Sequence, residues 1–295
     1  MKRRNTFDYI KLFFKGIFMG IADAIPGVSG GTIALLLGIY EELIHTISSL
    51  NFEQILYLRK NGFKSFWSKI NGGFLFSLLL GIGVSLISFV KISASLLDKY
   101  PLFVWSFFLG LIIATVYVIY KLIEKLNFRN ILFVLITIMA TLLLSSFSTI
   151  EINNIGLLYI LFCGIIASSA MILPGISGSL ILVILGVYAF LINALNNLDI
   201  LIILAFILGA IIGLLGFSRV LKYLFNNYRN ITYSIMLGLV IGSIPKILKI
   251  TLFLIAEPWN KDLTAKINNI DIVISIILML CGFSLILILD KKTKK

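Results

Sequence analysis

Apolar residues run along this chain in six stretches, each close to the ~20 residues that a helix needs to span the hydrocarbon core of a bilayer. They cover about 74–95, 101–120, 131–148, 200–218, 231–255 and 270–289. Two further apolar segments, about 10–48 and about 155–190, are patterned differently. Each has two arms shorter than the long runs, separated by Pro-Gly-x-Ser-Gly at 26–30 and at 174–178. Proline removes a helix donor and disfavours helix at the residue before it, and glycine permits turns that a side chain forbids. Non-helical backbone is not tolerated against lipid, so each turn is expected to be buried in protein or to line a cavity. A re-entrant helical hairpin fits that requirement best. The 51–70 stretch mixes Phe63, Phe66 and Trp67 with Lys64 and Lys69. It reads either as an amphipathic helix on the membrane surface or as a solvated loop.

The pattern repeats. Residues 26–40 (PGVSGGTIALLLGIY) and 174–188 (PGISGSLILVILGVY) are identical at eight of fifteen positions, at a spacing of 148. Downstream, 81–92 aligns with 209–220 at a spacing of 128, which pairs Phe89 with Phe217 and Lys91 with Arg219. The spacing shrinks because the first copy carries a longer loop after Tyr40. The predicted architecture is all-α and polytopic. It has two repeats, 1–148 and 149–295, each a broken hairpin followed by three transmembrane helices.

Composition agrees. Hydrophobic residues make up 60% of the 295 and charged residues 13%, against roughly half and a quarter in a soluble domain. A soluble enzyme, a disordered chain and a nucleic-acid-binding domain are excluded, although the net charge is +12. Three crossings per repeat, with the N-terminus in the cytoplasm, make the second repeat inverted and leave both termini inside. Nineteen Lys and Arg then face the cytoplasm, in clusters at 2–15, 59–69, 121–129, 219–229 and 291–295, and three face outward: Lys99, Lys261 and Lys266. That split obeys the positive-inside rule. Two full crossings per hairpin have the same parity as re-entry, so charge does not separate them. Cys163 and Cys281 lie in apolar runs without metal-ligand spacing, and no cofactor or metal is expected.

Broken helices in inverted repeats are an architecture of secondary transporters, with sites near the midplane where half-helix N-termini meet anionic groups. The second arm of each hairpin begins just after its motif, where unpartnered N–H groups and the helix dipole favour an anion. Ser29, Gly30, Gly31 and Thr32 in the first copy, and Ser177, Gly178 and Ser179 in the second, are the candidate substrate-binding residues. The plainer reading is that small residues let helices pack closely and serines cap the arms. Lys91, near the outer end of its span, and Arg219, near the inner end of the equivalent span, are candidates to receive an anionic head group on their own sides, or else snorkel at a span end. Asp23 is three residues before Pro26, and its repeat mate is Met171. An ionisable residue at membrane depth is a functional candidate, here for proton coupling. The alternative is a structural carboxylate accepting turn N–H groups.

Residues 16–43 (GIFMGIADAIPGVSGGTIALLLGIYEEL) and 170–188 (AMILPGISGSLILVILGVY) resemble the signature segments of a bacterial membrane family formerly of unknown function, the PopT-like polyprenyl-phosphate translocases. The resemblance runs over nearly the whole chain. It implies a flippase in the bacterial cytoplasmic membrane that recycles undecaprenyl phosphate, the lipid carrier of cell-envelope synthesis. Its partners are then this lipid and the surrounding membrane lipids, with no nucleic acid, and the oligomeric state is left open. A small-anion channel or exchanger is the alternative. An intramembrane serine hydrolase is a third reading, since Gly27 to Gly31 matches G-x-S-x-G, but the only histidine, His45, is sixteen residues on. Glu41 and Glu42 read as solvated helix-end residues.

Overall fold

The protein is described from a computed structural model, which covers residues 4–23, 29–146, 155–256 and 268–293. Among these residues there are only helices. In order they are α1 (Thr6–Asp23), α2 (Gly30–Leu36), α3 (Tyr40–Ser49), α4 (Phe52–Lys69), α5 (Gly72–Lys99), α6 (Pro101–Leu122) and α7 (Phe128–Ser146), then α8 (Leu157–Ile172), α9 (Gly178–Ile184), α10 (Tyr188–Asn196), α11 (Ile200–Asn227), α12 (Arg229–Ala256) and α13 (Asn269–Thr293).

Six of them, α5, α6, α7, α11, α12 and α13, are long and apolar enough to cross a membrane. They coincide with the six runs read from the sequence. The reason is physical: in hydrocarbon a long apolar segment satisfies its backbone only as a helix. Large apolar side chains such as Ile87, Leu135 and Leu204 stand exposed on these helices, which is the expected face toward lipid. The chain is a multi-pass membrane protein. The 51–70 stretch is the helix α4, broken at Gly62, whose φ of 74° lies outside helical backbone.

With α4 set aside, the element order of the first half is also that of the second. A helix of 18 or 16 residues is followed by one of 7, one of 10 or 9, and three long ones.

Each hairpin holds one break more than the sequence reading gave it. The sequence pattern predicts a second arm continuous to about residue 48, and to about 190 in the other copy. Instead α2 stops before Gly38 and α9 before Gly186, with φ of 66° and 71°. At this break the Ile39 N–H donates to the Ala34 carbonyl and the Val187 N–H to the Leu182 carbonyl, both at 3.0 Å. Gly186 also donates to Val183, at 3.0 Å. This is the Schellman ending, with glycine in the left-handed position and a buried apolar residue just beyond it. It turns α10 away from α9 by 106°.

The helices gather into two compact units that draw on both halves of the chain. The first holds α1, α2 as far as Leu35, α3, α4, α5 as far as Ile87, and α8 to α11. The second holds Leu36–Gly38 and the rest of α5 with α6, α7, α12 and α13.

Small residues set the packing in both units. In the first unit, a methyl group on Gly16 would strike the Leu78 carbonyl, and one on Gly81 the Phe13 carbonyl. Their repeat mates behave alike, with Gly164 against the Phe206 carbonyl and Gly209 against the Leu161 carbonyl. In the second unit α6 meets α13 at Gly110 and Gly282, and α12 meets α7 at Gly238. Since α6 corresponds to α12 and α7 to α13, these contacts each join a helix of one half to a helix of the other. Backbone-to-backbone approach through glycine is how helices associate where lipid offers no hydrophobic gain.

Candidate functional site

The second hairpin turn is built by Leu173, Pro174 and Gly175. Proline presets the backbone for a turn, and Gly175 takes φ 87°, open only to glycine without strain. Ile176 donates back to the Leu173 carbonyl at 3.5 Å, and α9 starts at Gly178 after the extended Ser177. The Ser177 side chain makes no cap bond to the helix. Its Oγ lies 2.7 Å from the Ser179 Oγ instead. Two hydroxyls sharing one bond keep one proton for an outside acceptor.

The first turn is arranged differently. Residues 24–28, with Pro26 and Gly27 of the motif, lie outside the described residues. Beyond them, the Gly30 N–H donates to the Asp23 Oδ1 at 2.6 Å, and the Gly31 N–H to the Ser29 Oγ at 3.2 Å. Here side chains occupy the donors at the start of α2, and Asp23 supplies an anion from the chain itself. At the corresponding place in the second hairpin stands Met171, an apolar side chain.

The two hairpins touch through residues of the first compact unit. The buried Ser29 Oγ donates toward the Met171 and Leu173 carbonyls, at 3.3 and 3.4 Å. The Gly175 N–H donates to the Thr32 Oγ1 at 3.1 Å. Gly31 faces the Ile172 backbone so closely that a Cβ would stand 2.5 Å from that carbonyl oxygen. The structure therefore brings Ser29, Gly31 and Thr32 against the second turn, with Gly30 and Asp23 bonded beside them. Ser29 is thus held by backbone groups on both sides: its Oγ donates toward two carbonyls and accepts the Gly31 N–H.

Tyr40 completes the contact, and the sequence reading gave it no role. It is 1% exposed, its hydroxyl donates to the Ile172 carbonyl at 3.0 Å, and its ring meets Phe225 edge-on at 5.8 Å. Its identity in both copies of the repeat was the available signal. In Tyr40→Phe the Ile172 carbonyl loses this donor inside the protein. A loss of about 1–3 kcal/mol is expected, the cost of a buried polar group left unpaired. Thermal unfolding in detergent checks it, and an unchanged midpoint would mean that the bond contributes nothing.

The other candidates lie elsewhere. Arg219 on α11 donates to the carbonyl of Leu50, which ends α3, at 3.1 Å. Tyr40 begins α3, so at ~1.5 Å per residue Arg219 is removed from the turns by roughly 15 Å along that helix. The side chain of Lys91 lies outside the described residues. Glu42 is not merely solvated: Arg4 pairs with both its oxygens, at 2.7 and 2.6 Å, and Asn71 donates to it at 2.9 Å. Among the described residues no cluster of His, Cys, Asp or Glu has the makings of a metal site.

The fold and this contact define a class: a polytopic helical membrane protein in which the start of α2 meets the turn before α9. Residues 19–262 match the model of the undecaprenyl phosphate translocase-like family, and the chain belongs to that family. It is 36% identical over 267 residues to a polyprenyl-phosphate transporter of Vibrio cholerae serotype O1, covering 90% of this chain and 83% of that one. It is 31% identical over 257 residues to a polyprenyl-phosphate transporter of Staphylococcus aureus, covering 81% of this chain and 86% of that one. No solved structure matches it.

Proposed function

We propose that this chain is a transporter that moves polyprenyl phosphate, undecaprenyl phosphate in particular, between the leaflets of the bacterial cytoplasmic membrane. The observation that carries the reading is the similarity, over most of both chains, to two relatives named for that activity. The turns suit the task. A phosphate head cannot cross hydrocarbon without a polar partner, whereas an isoprenoid tail need not leave it. On this reading Ser177, Gly178 and Ser179 of the second hairpin take the phosphate, beside Ser29, Gly30, Gly31 and Thr32 of the first. Lys91 and Arg219 receive it on opposite sides. The bond of Arg219 to Leu50 engages one of five guanidinium donors, so the others stay available to a phosphate. Nothing in this mechanism requires a covalent step, and the protein acts as a carrier, not as an enzyme.

Reconstitution in liposomes with a fluorescent polyprenyl phosphate tests it: leaflet exchange should need the protein. Exchange no faster than in protein-free liposomes would end the reading.

The same proposal has the two repeats inverted, the hairpins re-entrant and both termini in the cytoplasm, as the charge split supports. In a protein with Cys163 and Cys281 replaced, Lys125→Cys should react with an impermeant thiol reagent only from the cytoplasm. Asn197→Cys should react only from outside. Both sites reacting from one side would refute the inversion.

A further inference from the structure

We propose that α4 is an in-plane anchor that collects anionic phospholipid from the leaflet beside it. In the first half α4 stands between the hairpin and the first long helix. In the second half only residues 197–199 separate α10 from α11, so α4 has no counterpart there.

Its aromatic side chains continue the lipid-facing surface of α5. Phe76 of α5 stands 57% exposed on a membrane-crossing helix. The Trp67 ring lies 6.3 Å from that of Phe76, and the Phe63 ring 5.4 Å from that of Trp67. Phe63 is 64% exposed and Trp67 37%. A surface continuous with a span's lipid face is itself at the membrane boundary, where tryptophan is favoured.

The charge on α4 is mostly basic. Arg59, Lys60 and Lys64 are exposed, and none of the three is ion-paired among the described residues. Lys69 instead covers the Tyr57 ring at 3.7 Å. The only acidic residue of α4 is Glu53, in its first turn. Apolar rings at the boundary with basic side chains beside them are the pattern of a helix lying on an anionic surface. The occupant is the bulk anionic phospholipid of the leaflet, not the transported lipid. The break at Gly62 lets the two parts of α4 take different directions, with Arg59 and Lys60 just before it and Phe63, Lys64 and Trp67 after it.

The test uses the whole protein in vesicles of phosphatidylcholine and phosphatidylglycerol, with acyl-chain bromine on one lipid or the other. Trp105→Phe with Trp259→Phe leaves Trp67 as the only tryptophan. Should that variant fail to fold, subtracting the signal of Trp67→Phe from that of the wild type gives the same quantity. Brominated phosphatidylglycerol should quench Trp67 several-fold more than brominated phosphatidylcholine. The preference should fade at high salt and in Arg59→Gln/Lys60→Gln/Lys64→Gln. Equal quenching by the two lipids overturns the proposal, and so does no quenching by either. If trace polyprenyl phosphate abolishes the preference, the occupant is the transported lipid and the proposal is again overturned.

Discussion

Gly31→Ala should abolish lipid exchange while the protein still reaches the membrane. The added carbon would stand 2.5 Å from the Ile172 carbonyl oxygen. The neighbour is backbone, so no side chain can swing aside, and the two hairpins must separate. The bonds between them cannot follow. Those of Ser29 to Met171 and Leu173 are 3.3 and 3.4 Å long, already at the limit for a hydroxyl bond, and Gly175 to Thr32 is 3.1 Å. Overpacking of this kind costs about 1–3 kcal/mol, spent where the turns must meet. Gly178→Ala should be milder, because its added carbon meets the Ala167 carbonyl oxygen at 3.0 Å and the Met171 Cβ at 3.4 Å. Gly83→Ala and Gly216→Ala meet nothing within 4 Å and serve as controls. The measurement is the initial rate of exchange of a fluorescent polyprenyl phosphate in liposomes. A Gly31→Ala protein exchanging at the control rate would show that close apposition of the turns is not needed.

What could be read in advance was whatever a single segment decides by itself. The six long helices fell where the apolar runs lay, since a run of that length in lipid has one solution. The Pro-Gly turn of the second hairpin was likewise local chemistry. The second break was also written locally, in Leu-Gly-Ile-Tyr and Leu-Gly-Val-Tyr. Apolar residues continue on both sides of Gly38 and Gly186, so the pattern alone extends the helix through them, and only the left-handed backbone there reveals an ending. The partners of the candidate residues were not legible. Ser29 reaches carbonyls more than a hundred residues away, and Glu42 is claimed by Arg4 and Asn71. Periodicity shows which face is apolar and not which distant backbone that face meets. Arg219 shows the same gap. Pairing it with Lys91 was a relation of sequence, whereas its bond to Leu50 comes from the packing of α11 on α3.

Asp23 is where the two hairpins differ most, and its substitutions separate two roles. In the structure its carboxylate accepts the Gly30 N–H at 2.6 Å, a short, charge-assisted bond at the start of α2. Asp23→Met puts into the first hairpin the residue found at the corresponding place in the second. It removes that bond and should destabilise the protein by about 1.5–3 kcal/mol, the range for a hydrogen bond to a charged group. Asp23→Asn keeps an oxygen where the Gly30 N–H points, so it should fold and exchange lipid. It cannot, however, gain or lose a proton. If Asp23 couples phosphate movement to protons, as we propose for an ionisable group at this depth, the two directions of exchange respond to an imposed pH gradient in the wild type and cease to respond in Asp23→Asn. One carboxylate serves two hairpins, so only the first turn can gain or lose a proton, and the imposed gradient sets the direction of the response. Initial rates from each leaflet, with the gradient in either direction, decide the matter. An Asp23→Asn protein that follows the gradient as the wild type does would leave the carboxylate with the structural bond alone, and Asp23→Met would then lose stability without any change in the gradient response of the molecules that fold.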